Sequence, residues 1–177
     1  MSIGVGIEVD LPPGTEATLV RLFREHQLQL VRMALLIVGD RPTAEDVVQD
    51  AFTALYRRLD RISDPENVLP YVRTAVINGC RSVLRKRNRP FAGPAPEPVW
   101  SAESAVLLGE DRRAVFLALR ALPRRQREAL VLRYYLDLSE AEIARAMGIS
   151  RGTVKSTTAR GLAALARRLD PDEGRQS

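Results

Sequence analysis

Twelve residues near the middle of the chain, PFAGPAPEPVWS at positions 90–101, hold four prolines and no helical period. Proline has no amide to donate and fixes its own backbone angle, so this stretch reads as a linker. It divides the 177-residue chain into two segments, each small enough that its own core would be modest.

Both flanking segments are helix-like. The composition is 45% hydrophobic and 28% charged, as expected of a chain that buries a core, and only 5% aromatic. Leu, Ala and Arg dominate, and these side chains lose little rotamer freedom in a helix. No alternating strand pattern runs longer than a few residues. The expected fold is all-α: two small helical domains joined by the Pro-rich linker. The expected boundaries are an N-terminal tail at 1–14, a first domain at 15–89, the linker at 90–101, a second domain at 102–170 and a tail at 171–177. The absence of a long C-terminal extension argues against a built-in regulatory domain.

In the first segment a long helix is expected from about Thr15 to Val38, ended by Gly39. A second starts near Pro42, a residue preorganised for a first helical turn, and runs to about Leu59. RISDPEN forms a loop, and a third helix covers about Val68 to Arg87, with Pro70 as a place for a bend. In the second segment helices are expected over about Ala102–Leu122 and Pro123–Leu136.

The end of that segment, LSEAEIARAMGISRGTVKSTTARGL at 138–162, carries two helix starts eleven residues apart. Ser139 and Glu142 form a capping box, with Leu138 and Ile143 placed as a hydrophobic staple. Ser150 caps again, with Ile149 and Val154 as the second staple. Gly148 permits the left-handed turn a helix end often needs. Two turns of helix, a tight turn and a second helix match helix-turn-helix spacing, so the second helix is the one expected in a DNA groove. Projected at 3.6 residues per turn, Val154, Leu162, Leu165 and Leu169 gather on one side. Thr153, Ser156, Thr157 and Arg160 gather on the other, flanked by Lys155. Ser150 to Leu169 holds five basic residues and no acid. Small hydroxyls and cations can approach base edges and phosphates closely. Gly152, in the first turn, weakens the helix by up to ~1 kcal/mol relative to alanine, and suits close backbone approach to DNA.

A second basic stretch lies at 72–89, VRTAVINGCRSVLRKRNR, with six Arg or Lys and no acid. The net charge of +5 and pI near 10.0 fit a polyanionic partner, and the clustering matters more than the sum. Residues 39–59, GDRPTAEDVVQDAFTALYRRL, form an amphipathic helix. Val47, Val48, Ala51, Phe52, Leu55 and Leu59 make its apolar face, and Glu45, Asp46, Gln49, Asp50, Thr53 and Arg57 the polar one.

The single cysteine, Cys80, and the single histidine, His26, cannot build an ordinary structural zinc site, and Cys80 reads as a small helix residue without a redox role. There is no Gly-rich phosphate loop, nucleophile elbow or metal pattern, so no cofactor, metal or catalytic residue is expected. The N-terminus is not a secretion signal, and the longest apolar run, Met33–Val38, is far short of the ~20 residues a membrane helix needs. The expected location is the cytoplasm, without membrane insertion.

Two motifs in tandem carry a family resemblance: GDRPTAEDVVQDAF with upstream Leu22-Phe23 and His26, and LPRRQREALVLRYYLDLSEAEIARAMGISRGTVKSTTARGL. The chain resembles a bacterial sigma factor of the extracytoplasmic-function (ECF) type, the minimal two-domain members of the sigma-70 family. The resemblance covers most of residues 19–169. It implies a non-enzymatic subunit that directs core RNA polymerase to promoters. The first domain would be region 2 and the second region 4, touching the β′ clamp and β flap of the polymerase. Asp46, Gln49, Asp50 and Phe52 would be clamp-contact or supporting residues, an acidic-polar face meeting a basic one. The 61–67 loop and the following helix, with Asn78, Arg81 and Arg85, would hold a base of the melted −10 element. Gly152, Thr153, Lys155, Ser156, Thr157 and Arg160 would read the −35 duplex, with Arg133 supporting phosphate contact. An anti-sigma factor is a further partner that many members have. The chain departs from the common pattern at Thr157, often arginine, at Gly161, more usually alanine, and in a short loop lacking the usual tryptophan, with Tyr71 the nearest aromatic.

Two other readings meet the same residues. A dimeric helix-turn-helix regulator would need a ligand pocket, phosphoacceptor or dimer helix in the first segment, and none is written there. A nucleic-acid enzyme would need clustered acids or metal ligands, and the acids here alternate with Gln and Thr along one helix face.

Overall fold

A computed structural model describes residues 15–58, 61, 67–88 and 100–170. The expected tails at 1–14 and 171–177, Leu59, most of the linker and the centre of the 61–67 loop lie outside the described residues. Among the described residues there are helices and turns and no strand. Three helices precede the linker: α1 (Thr15–Val38), α2 (Arg41–Tyr56) and α3 (Val68–Arg87). Five follow it: α4 (Ala102–Leu108), α5 (Arg113–Arg120), α6 (Arg124–Leu130), α7 (Glu140–Met147) and α8 (Arg151–Leu169).

Local chemistry explains most boundaries. Gly39, at φ +97°, closes α1, and its amide bonds to the Leu35 carbonyl at 2.9 Å. Asp40 then caps α2 by accepting from the Thr43 amide at 3.0 Å, with Pro42 in the first turn. Pro70 is the third residue of α3, where the amide would have no intrahelical acceptor, and α3 runs unbroken past it.

Two expected helices are each divided. The helix expected over Ala102–Leu122 is split at Gly109, φ +94°, into α4, a 3₁₀ turn at Glu110–Arg112, and α5. The stretch expected over Pro123–Leu136 is α6 followed by a π-helical turn at Val131–Tyr135, where the Leu136 amide reaches the Val131 carbonyl at 3.3 Å.

The apolar contact does not stop at the linker. α1, α2 and α3 pack on one another through Leu30, Met33, Val48, Leu55, Val72 and Ile77, all buried. The second half packs around Phe116, Leu132, Ile143, Met147 and Val154. One hydrophobic cluster includes all of them. The halves meet where α1 lies against α4, α5, α6 and the π turn, and where α3 lies against α7. A cavity of about 220 Å³ lies among the helices of the second half, lined by Phe116, Leu119, Tyr134, Leu162 and Leu165 among others, with Leu36 of α1 at its wall.

Candidate nucleic-acid and polymerase interface

The helix-turn-helix is built as its caps dictate. Ser139 Oγ accepts from the Glu142 amide at 3.2 Å, and Glu142 Oε2 accepts from the Ser139 amide at 2.8 Å. These reciprocal bonds hold the Glu142 carboxyl below its usual range, led by the Ser139 amide. Gly148 is left-handed, φ +64°, and the Ile149 amide returns to the Ala144 carbonyl at 3.1 Å. Ser150 Oγ accepts from the Thr153 amide at 3.1 Å and starts α8.

On α8 the residues Arg151, Gly152, Thr153, Lys155, Ser156 and Arg160 are all exposed. They form a continuous outer face of cations, hydroxyls and bare backbone. The Ser156 hydroxyl donates to the Thr153 carbonyl at 3.1 Å, and Arg160 Nε to the Ser156 carbonyl at 3.2 Å, which lays both side chains along the helix. Thr157 is not on this face. It is 6% exposed and shares the inward line with Val154 and Gly161. Leu162 and Leu169, expected inside, are 46% and 43% exposed. The reason is a close approach to α6. A Cβ added at Gly161 would lie 3.2 Å from both Gln126 Cβ and Leu130 Cγ. Small residues at 157 and 161 let α8 settle there, which turns its inward arc away from Leu162 and Leu169. Arg133, half-buried, donates to the Leu138 carbonyl at 2.9 Å and so braces the turn entering α7.

On α2, Asp46, Gln49 and Asp50 are exposed together on the outer face. Phe52 is 6% exposed and meets Phe23 edge-on, with ring centroids 4.9 Å apart. It supports the face from beneath and is not on it. α2 is fixed against α3 by a network of its own. Arg87 donates to Asp40 Oδ2 at 2.7 Å, to Thr43 Oγ1 at 2.8 Å and to the Val38 carbonyl at 3.0 Å. Burial would raise the Asp40 pKa, but hydrogen bonds from Thr43 and Arg87 outweigh it and hold the carboxyl below its usual value. On α3, Asn78 and Arg85 are exposed. Arg81 lies between the halves: its Nη1 donates to Asn78 Oδ1 at 3.2 Å, and its Nε to Glu128 Oε2 at 3.1 Å. Tyr71 is partly buried against the core rather than free in the loop.

Two family models match in order. "Sigma-70 region 2" matches residues 22–90, and "Sigma-70, region 4" matches residues 112–165. The RNA polymerase sigma-E factor of Streptomyces avermitilis is 34% identical over 147 residues, covering 83% of this chain and 82% of that protein. The ECF RNA polymerase sigma factor SigM of Mycobacterium tuberculosis is 35% identical over 149 residues, covering 84% and 76%. The chain belongs to the sigma-70 family, in its ECF branch. Its function is that of a promoter-directing initiation factor for RNA polymerase. Among solved structures, the sigma factor RpoE of Bartonella quintana, in complex with the anti-sigma factor NepR, matches at a TM-score of 0.69. It is 26% identical, and the match covers 85% of this chain and 97% of that one. CnrH, in complex with the cytosolic domain of CnrY, shares the fold at a TM-score of 0.68.

In this sigma factor, the residues that sequence reasoning missed are those that join the halves. Glu128, 3% exposed, pairs with Arg81 through both carboxylate oxygens. Arg81 Nη2 also donates to the Met147 carbonyl at 3.2 Å, at the turn of the helix-turn-helix, and Arg125 reaches the same oxygen at 3.3 Å. Arg120 donates to the Ile37 carbonyl at the end of α1, and packs over Gly39 where a Cβ would lie 2.7 Å from its guanidinium. Burial pushes Arg120 and Arg127 down to about 10. One signal for Glu128 was available. It is the lone acid in PRRQREALVLR, beside the apolar run that forms the core of α6. Cys80 is fully buried, and burial pushes its thiol up to about 12, as befits an inert core residue. No helix among the described residues is long and apolar enough to cross a membrane, and no group there could hold a metal ion.

Proposed function

We propose that this sigma factor works by binding alone, through four surfaces set on two domains, residues 15–89 and 102–170, joined by the 90–101 linker. α8 reads the −35 duplex through Gly152, Thr153, Lys155, Ser156 and Arg160. The observation that carries this reading is the exposed face of hydroxyls and cations on α8, opposite the buried line of Val154, Thr157 and Gly161. Thr157 contributes packing here rather than a base contact. Arg133 contributes by bracing the turn before α7, with its remaining donors available to phosphate.

α2 docks on the β′ clamp through Asp46, Gln49 and Asp50, with Phe52 and Phe23 as the stiff floor. α3 holds the melted −10 strand with Asn78, Arg81 and Arg85, and region 4 engages the β flap. The unstacking cost of a captured base, a few kcal/mol, is offset by the contacts made to it. The protein acts in the cytoplasm, and the RpoE–NepR complex supports an anti-sigma protein as a further partner.

The test is reconstitution. Purified protein added to core polymerase should yield transcripts that start at defined promoter positions. Duplex binding that only represses, with no gain in initiation, refutes the reading in favour of a dimeric regulator.

A further inference from the structure

Arg81 is assigned by the reading above to the −10 strand, yet its guanidinium is already engaged. It holds both oxygens of a Glu128 carboxylate that is 3% exposed, and it holds the Met147 carbonyl at 3.2 Å. Glu128 lies 47 residues further along the chain, in α6 of the other half. Among the described residues, the hydrogen bonds to its carboxylate come from Arg81. The helix carrying the candidate −10 residues is therefore pinned to the turn of the helix carrying the −35 reader.

The crevice elsewhere along the α3–α7 contact is also narrow. The crevice of α3 and α7, lined by Pro70, Arg73, Thr74, Leu138, Glu142 and Arg145 among others, is about 30 Å³. That is room for about one water and far too little for a nucleobase or a strand.

Glu128 and a nucleic-acid phosphate offer the same chemistry to an arginine: two anionic oxygens in a plane, met by parallel N–H donors. Only one of them can hold Arg81 at a time. We propose that Glu128 is an internal latch that mimics phosphate: it occupies Arg81 in the compact form, and nucleic acid must displace it to part the two halves.

The energetics suit a reversible catch rather than a rigid joint. Desolvating two charges nearly cancels their attraction, so a buried ion pair contributes little net stability. Separation returns both groups to water at small cost, whereas removing one partner leaves the other charge buried and unpaired. Arg120 adds a second polar tie between the halves, its guanidinium donating to the Ile37 carbonyl at the end of α1.

The proposal rests on Arg81 being a nucleic-acid ligand, and the experiment separates the two claims. Glu128→Gln is compared with the parent chain by solution X-ray scattering and by titration with single-stranded oligothymidine. A compact chain of this length has a radius of gyration of about 16 Å. The parent should lie near that value and Glu128→Gln clearly above it. If the open fraction rises from about 5% to about 50%, apparent oligothymidine affinity rises about tenfold. A variant as compact as the parent, with unchanged affinity, overturns the latch. A variant that opens without binding more tightly overturns Arg81 as the phosphate ligand that Glu128 imitates. Should Glu128→Gln misfold, the parent alone decides. Its radius should grow as oligothymidine saturates it, and a saturated chain that stays compact refutes the proposal. Promoter-specific transcription by the parent with core polymerase, run in parallel, reports on the functional assignment independently of either outcome.

Discussion

Gly152→Ala should make this protein more stable and a poorer DNA binder at once. Gly152 is the second residue of α8. Its would-be Cβ meets open space, with the nearest side-chain atom, Ser150 Oγ, 3.9 Å away. No clash opposes the gain in helix propensity, which is about 1 kcal/mol in a helix interior and roughly half that in a first turn. With a urea slope of about 2 kcal/mol/M, a gain of about 0.5 kcal/mol raises the unfolding midpoint by about 0.25 M. The loss on DNA has a separate origin. Amides of the first helical turn have no intrahelical acceptor and point outward, where a phosphate can accept from them. A methyl on that bare backbone holds the phosphate off. A charge-assisted hydrogen bond is worth about 1.5–3 kcal/mol, so the affinity for a −35 duplex should fall at least tenfold. Urea melts and a fluorescence titration with promoter duplex measure both. A destabilised variant would refute the open-space argument. A stabilised variant with parental DNA affinity would refute the close approach of this backbone to DNA.

Further tests address the other surfaces. Arg160→Ala should cost ~1–3 kcal/mol at the −35 element and relax base preference at one position, whereas an equal loss on all duplexes would reduce it to a phosphate contact. At Gly79→Ala the new Cβ would lie 2.7 Å from Val47 Cγ1, so the strain of about 1–3 kcal/mol should exceed any propensity gain in urea melts. A more stable variant would contradict the close α2–α3 contact. Acid should also weaken the fold. Asp40 and Glu142 both titrate lower when folded than their free values of 3.8 and 4.5. The stability they add is full above those values and is lost as the pH falls through the lower folded ones. Ser139→Ala should flatten that acid limb, and an unchanged limb would remove Glu142 as a contributor.

Much of the candidate site was legible because its signals are local. A capping serine, a glutamate three residues on and a left-handed glycine act within one turn of chain, and all of them behave as read at Ser139, Glu142 and Gly148. The same holds for Gly39 closing α1 and for the outer face of Asp46, Gln49 and Asp50. Gly109 was missed although its signal was equally local: a lone glycine between Leu107-Leu108 and an acidic pair. The apolar period continued across it and masked the break.

The sequence by itself determined most of the helix ends, which helices cap and that two polar faces would be left outside. Those outcomes depend on residues within about one helical turn of each other. Tertiary structure decided how α8 is rotated and what Arg81 holds. Periodicity defines an apolar arc, but the neighbour that packs against it chooses the centre of that arc, and here the small residues at Thr157 and Gly161 admit α6. Arg81 could be read as a free cation only while Glu128, 47 residues away, had no position in space. A charge is available to a partner, or already spent on one, only once the fold has placed the competing oxygen.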